Sequence, residues 1–142
     1  MDIRPLTPDY AVSPQLDPSD LPAIKAAGFA MVIDNRPDAE LPAPLHATTM
    51  QAAAQALGLA FVVNPVIGGA LTLANVDAQR AAIAAATGPV LAYCAAGNRS
   101  SVVWALSQAG QLPVEDLIAI PARHGYQLEH LRPQLETLSR QG

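Results

Sequence analysis

A cysteine, a glycine, an arginine and a serine stand at fixed offsets in Cys94-Ala95-Ala96-Gly97-Asn98-Arg99-Ser100-Ser101. Together they describe one chemistry: a sulfur nucleophile inside a ring of anion-binding donors. Ala95 and Ala96 are small enough for their backbone N–H groups to turn inward around an anion. Gly97 permits backbone angles that other residues resist, and Asn98 tolerates the left-handed region better than most. A helix beginning after Arg99 adds free N–H groups and the positive end of its dipole. Arg99 offers permanent charge and a flat fork of donors for a tetrahedral oxyanion. Ser100 is read as a cap of that helix and as a donor to the departing sulfur. Donors that converge on a sulfur favour its thiolate, the form that attacks. A lone cysteine is more often a small buried hydrophobe, but glycine, arginine and serine at these offsets point to catalysis. Cys94 and Arg99 are the candidate catalytic residues, and Ala95, Ala96, Gly97, Asn98, Arg99 and Ser100 the candidate anion-binding loop.

The elements that must position this loop alternate between strand and helix. Val90 to Tyr93 reads as a buried central strand that delivers Cys94 to the carboxyl end of a sheet, and a helix from about Ser100 to Ala109 follows. Upstream, Asp17-Pro18-Ser19-Asp20 opens a helix that Gly28 ends. Phe29 to Ile33 reads as a strand, Asn35 to Leu45 as a polar, proline-broken loop, and Thr48 to Leu57 as a helix. Leu59 to Val63 is a further strand, and Thr72 caps a helix running to Ala86. Helices around Val114–Ala122 and Leu128–Leu138 complete the chain. Strands alternating with helices imply right-handed crossovers and a mainly parallel sheet, whose ligands bind beyond the carboxyl ends of its strands. The expected fold is α/β, a mainly parallel four- to five-stranded sheet flanked by helices.

The chain has 142 residues, which fits a single domain over 1–142. Its hydrophobic fraction of 51% suffices for a core without staples. A net charge of −4 argues against nucleic acid as a partner. One cysteine excludes an internal disulfide. No apolar run reaches the roughly 20 residues that cross a bilayer, so no membrane partner is expected. The N-terminus lacks the apolar core of a signal peptide, and a cytoplasmic location follows by default. Alanine-rich faces permit a homodimer. His46, His124 and His130 show no metal spacing, and Gly68-Gly69 lacks the surroundings of a dinucleotide fingerprint and reads as a flexible rim. No metal or other cofactor is expected. Trp104 is read as a core anchor.

The loop Cys-x-x-Gly-x-Arg-Ser resembles the active loop of rhodaneses, in which four residues separate cysteine from arginine. Protein tyrosine and dual-specificity phosphatases have five, usually with a histidine before the cysteine, where Tyr93 stands here. Leu21 to Asn35 nevertheless resembles the helix, glycine and strand of a dual-specificity phosphatase. From Ile3-Arg4-Pro5-Leu6 through Asn35-Arg36-Pro37-Asp38 the chain is similar to the phosphatase-like domain of beta-lactamase-hydrolase-like proteins, a family described both as phosphatase-like and as sulfurtransferase. That resemblance implies a protein-tyrosine-phosphatase-like fold. The family usually carries an arginine after the cysteine, where this chain has Ala95.

Two reactions fit. In sulfur transfer, Cys94 takes a sulfane sulfur from a small-molecule donor as a persulfide and passes it to a thiol or cyanide. In phosphate-ester hydrolysis, it forms a phosphocysteine, and the leaving oxygen needs a proton; a positioned acid contributes about 10²–10⁴-fold. Related phosphatases take that proton from an aspartate on a loop beside the cysteine loop, and the equivalent segment, Asn64 to Leu71, contains no acid. Asp77 falls within the following helix as a solvated side chain. Asp34 and Asp38 follow a neighbouring strand; Asp38 is either an acid or a turn-forming residue. Arg36 either adds a second positive charge or pairs with Asp34 or Asp38. Arg36 and Asp38 are thus supporting candidates. The tighter loop and the missing acid favour sulfur transfer, with phosphatase as the alternative and a non-catalytic anion or persulfide sensor as a further one.

Overall fold

The computed structural model describes residues 1–141. Among them, one sheet is built from β1 (Arg4–Thr7), β2 (Tyr10–Ser13), β3 (Met31–Asp34), β4 (Ala60–Val63) and β5 (Val90–Tyr93) in the order β1-β2-β5-β3-β4. β2, β5, β3 and β4 run parallel, and β1 is antiparallel to β2. The β1–β2 hairpin is absent from the sequence reading because Pro5 interrupts β1, a residue that suits only an edge strand.

Alternate residues of these strands enter two cores. Val12, Met31, Ile33, Val90 and Ala92 face one layer, formed by α3 (Leu73–Ala85), α4 (Asn98–Ser107), α5 (Val114–Ala122) and α6 (Arg132–Gln141). Ala11, Val32, Leu91 and Tyr93 face the other, formed by α1 (Leu21–Ala26) and α2 (Ala47–Ala56). The period of two places neighbours in sequence on opposite faces. Trp104 is buried in the first core with its ring 6.0 Å from that of Tyr10, as its reading as an anchor expects.

Helix starts follow their caps. Thr72 Oγ1 accepts the Asn75 N–H while Asn75 Oδ1 accepts the Thr72 N–H, a reciprocal box that begins α3. Around a 3₁₀ turn at Pro18–Asp20 that leads into α1, Asp17 Oδ1 accepts the Ser19 N–H while Asp20 Oδ2 accepts the Asp17 N–H. Several boundaries differ from expectation, among them the strand expected over Phe29–Ile33, which runs Met31–Asp34. The Asn35–Leu45 loop holds two 3₁₀ turns, Asp38–Glu40 and Ala43–Leu45. The last helix begins at Arg132, after a 3₁₀ turn, because Pro133 fits a helix's first turn better than its interior. The helix after the cysteine begins at Asn98, two residues early, so Asn98 and Arg99 belong to its first turn. No helix among the described residues is long and apolar enough to cross a membrane.

Candidate active site

β5 is buried along its whole length between β2 and β3. Its ladder extends one step further: the Cys94 N–H reaches Ser13 O at 3.4 Å, and the Asn35 N–H donates to Tyr93 O at 2.9 Å. The chain then turns, and the Gly97 N–H points back at Cys94 Sγ, 3.1 Å away. Gly97 has φ +94°, the left-handed angle that only glycine holds without strain, and its Cα faces the Tyr126 hydroxyl so closely that a Cβ would overlap it. Asn98 takes ordinary helical angles, so the whole left-handed step falls on Gly97. The first helical hydrogen bond of α4 is Ser101 N–H to Gly97 O at 3.0 Å. The amides of Asn98, Arg99 and Ser100 therefore precede the helical ladder and are free to hold an anion.

Arg99 sits on that first turn. Its Nη1 and Nη2 donate to the two oxygens of Glu40 at 2.9 and 2.8 Å, and Nη1 also donates to Val66 O at 2.9 Å. Three of the five guanidinium N–H donors are thus used, which leaves the Nε edge for another acceptor. Arg36 Nε donates to the same Glu40 at 2.9 Å, and Arg36 Nη1 donates to Gln15 Oε1 at 3.2 Å. The Arg99 guanidinium, and after it Arg36, hold the Glu40 carboxyl below the usual carboxylate range. The side-chain partners of Arg36 are thus Glu40 and Gln15, and neither Asp34 nor Asp38; Asp34 takes only the Arg36 backbone N–H, at 2.8 Å.

Ser100 departs from its expected role. Its hydroxyl is buried and donates to Asn35 Oδ1 at 2.9 Å, so the side chain serves a polar network and not the sulfur. In that network Asn35 Nδ2 donates to Asn64 O and to Gln79 Oε1, and Gln79 Nε2 donates to Tyr10 Oη. Tyr10 Oη in turn donates to Ser100 O at 2.9 Å. The network ties the ends of β3 and β4, α3 and the first turn of α4 into one unit. Buried amides so fully paired hold one arrangement, because each broken bond leaves a desolvated group.

On the opposite face, Asp34 and Tyr93 are register partners on β3 and β5. Asp34 Oδ2 and Tyr93 Oη are buried and lack a hydrogen-bond partner among the described residues. Burial pushes the Asp34 carboxyl up to about 6, against the opposing pull of the Arg36 amide. Burial, with the Asp34 charge added, raises the Tyr93 phenol well above its ordinary value. Asp38 Oδ1 accepts the Ala47 N–H at 2.9 Å and so serves the start of α2, nine positions on, where a local turn was expected. Asp77 is exposed on α3 and paired with Arg80. A cleft of about 250 Å³ beside Arg36 is lined by Arg36, Pro37, Asp38, Val63, Pro65 and Ile67. Gly69, exposed in the neighbouring 64–72 loop, has φ +76°.

Sequence reasoning missed Glu40, Gln79 and Tyr126. Gln79 left a signal: it occupies the buried stripe of α3 with Val76 and Ala82, three positions from each, where a polar residue asks for a partner. Asn35 and Asn64, each placed just after a strand, carry a similar signal. Glu40 and Tyr126 carry none, because their partners lie far away along the chain.

The profile of the phosphatase-like domain of beta-lactamase hydrolase-like protein matches residues 2–111. A beta-lactamase hydrolase-like protein of Xylella fastidiosa (strain Temecula1) is 33% identical over 130 residues; the match takes in 90% of this chain but only 30% of that protein's length. Among solved structures, a candidate phosphatase of Neisseria meningitidis is 31% identical with a TM-score of 0.81, over 97% of this chain and 99% of that one. Tk-PTP in its active form has a TM-score of 0.74 at 18% identity, over 97% of this chain and 96% of its own. The fold is that of the protein tyrosine and dual-specificity phosphatases.

Proposed function

Because the chain belongs to the phosphatase-like domain family of beta-lactamase hydrolase-like proteins, we propose that it is a cysteine-dependent hydrolase of phosphate esters. The observation that carries this reading is the Gly97 N–H directed at Cys94 Sγ at 3.1 Å, at the N-terminus of α4. The Cys94 thiolate attacks phosphorus and the ester P–O bond breaks. The leaving oxygen takes up a proton, and water then cleaves the S–P bond to release phosphate and restore the thiolate. The amides of Asn98, Arg99 and Ser100 and the Nε edge of Arg99 would hold the phosphoryl oxygens, aimed at where charge develops. Glu40 orients the Arg99 fork, and the cleft beside Arg36 would take the apolar part of the ester.

The proton donor is the weak point of this site, and the carboxyls differ in fitness for the task. Glu40 is held ionised by two arginines, and Asp38 is engaged with α2. Asp34, pushed up to about 6 by burial, keeps its proton to a higher pH than Glu40 does. Sulfur transfer is the second reading, favoured by the four-residue spacing from Cys94 to Arg99 and by the absence of a carboxyl from Asn64 to Leu71. It needs no proton delivery: a donor's sulfane S–S bond breaks as the Cys94 persulfide forms, and an acceptor thiolate or cyanide removes the sulfur. A panel of aryl phosphates and thiosulfate, run on wild type, Cys94→Ser and Arg99→Ala, separates the readings. Turnover of the aryl phosphate that both substitutions abolish supports the hydrolase. Turnover of thiosulfate alone supports sulfur transfer, and a labelled thiol without turnover of either supports the sensor.

A further inference from the structure

One peptide unit of the cysteine loop is held from both ends. The Tyr126 hydroxyl donates to Ala96 O at 2.8 Å. The next atom along, the Gly97 nitrogen, donates its hydrogen to Cys94 Sγ at 3.1 Å. All peptide bonds of the described chain are trans, so the C=O and N–H of the Ala96–Gly97 unit point in opposite directions. Fixing the carbonyl on Tyr126 therefore aims the amide at the sulfur. Behind the tyrosine, Arg4 Nη1 donates to Tyr126 Oη at 2.6 Å, and its guanidinium lies over the ring at 5.5 Å from the centroid. Asp2 steadies Arg4 through Nε and Nη2.

We propose that Tyr126, backed by Arg4, is a positioning residue for the nucleophile: it sets the Ala96–Gly97 peptide plane so that the Gly97 amide stabilises the Cys94 thiolate. This rests on the reading of Cys94 as a nucleophile but not on the choice between phosphate and sulfur. A cation at one end and a thiolate at the other polarise the intervening bonds in the same sense. Tyr126 lies beyond the 2–111 segment matched by the family profile, on the turn between α5 and the 3₁₀ turn at Glu129–Leu131. Burial holds its phenol above the ordinary value, so it remains a donor while a thiol titrates. The other groups whose charge couples to Cys94 are Arg99 and the buried Tyr10, and neither is bonded to Tyr126.

The chain has one cysteine, so alkylation by iodoacetamide reports on Cys94 alone. The rate is measured against pH for wild type, Tyr126→Phe and Arg4→Gln. Tyr126→Phe keeps the ring over Gly97 and removes only the hydroxyl. The expected result is an upward shift of the rate–pH midpoint by roughly one unit, a loss of up to about tenfold in rate below it, and an unchanged limiting rate above it. Arg4→Gln should shift the midpoint in the same direction by less. A Tyr126→Phe profile that superimposes on wild type overturns the proposal, even if the variant melts at a lower temperature, because a packing role alone would leave the profile still. Should Tyr126→Phe not fold, an unshifted Arg4→Gln profile overturns it. The comparison is between variants, so it is decided whatever substrate the enzyme takes.

Discussion

The carboxylate of Glu40 clasps the guanidinium of Arg99 through two hydrogen bonds of 2.8 and 2.9 Å, across 59 positions of sequence. Neither residue is deeply buried, and Arg36 shares the same carboxylate. The clasp holds a long side chain in one geometry beside the loop that must receive an oxyanion. Holding a catalytic group in place contributes to rate more than an exposed ion pair contributes to stability.

Glu40→Gln keeps the side-chain shape but loses the charge and one acceptor. It should lower kcat/KM for an aryl phosphate by roughly tenfold, while thermal unfolding shifts by no more than about 1 kcal/mol. Steady-state kinetics and a melting curve on the same sample check this. Unchanged kcat/KM would show that Arg99 needs no help from Glu40.

Gly97→Ala places a Cβ where the Tyr126 hydroxyl already lies and 2.9 Å from the ring carbon that bears it, at a backbone angle of φ +94°. Both costs act together, and urea unfolding should show a loss of roughly 2–4 kcal/mol. Adding Tyr126→Ala should recover the steric part and leave the backbone part. No recovery in the double variant would mean that the collision is relieved by other means.

Much of this site was legible in sequence because its chemistry is local. Val90–Tyr93 reads as a buried strand, and Cys94, Gly97 and Arg99 fall within a single turn of chain whose offsets alone suggest an anion loop. Thr72 announced α3 through its cap, and α5 fell where it was expected, at Val114–Ala122. What escaped depends on distant partners. The Ser100 hydroxyl points toward Asn35, 65 positions away, and nothing near Ser100 reveals that. Tyr126 meets Ala96 from 30 positions away. The preference for sulfur transfer was drawn from loop length and a missing acid; family and fold support the phosphatase alternative instead. Loop length constrains the ring of amides, but it does not determine which atom the thiolate attacks.

Asp34 gives the fold a pH dependence of unusual sign. Its carboxyl is raised to about 6 in the folded protein, above the unfolded value of 3.8. Between those values the folded state binds the proton more tightly, so this group's contribution to stability falls as pH rises from about 4 to 6 and stays low above that. Asp34→Asn removes the buried charge and retains an oxygen for the Arg36 amide. It should stabilise the protein by roughly 1–3 kcal/mol at pH 8 and by little at pH 4. Equal effects at both values, read from melting curves, would contradict the assignment.

The absence of a carboxyl from Asn64 to Leu71, with Asp38 bound to α2, predicts weak proton delivery to the leaving group. Hydrolysis should then depend steeply on leaving-group acidity. Nitrophenyl phosphate should turn over at least about 10²-fold faster than an alkyl phosphate, the range a positioned acid would otherwise supply. Comparable rates for the two esters would reveal an effective acid, and the loss of that parity in Asp34→Asn would identify it.

The most direct test of the account is to quench the enzyme in acid during turnover of an aryl phosphate and to examine the peptide containing Cys94 by mass spectrometry. A phosphoryl group is expected on Cys94 of the wild type and none on the same peptide in Cys94→Ser. Product release from wild type with an unmodified cysteine throughout, or undiminished turnover by Cys94→Ser, would contradict it.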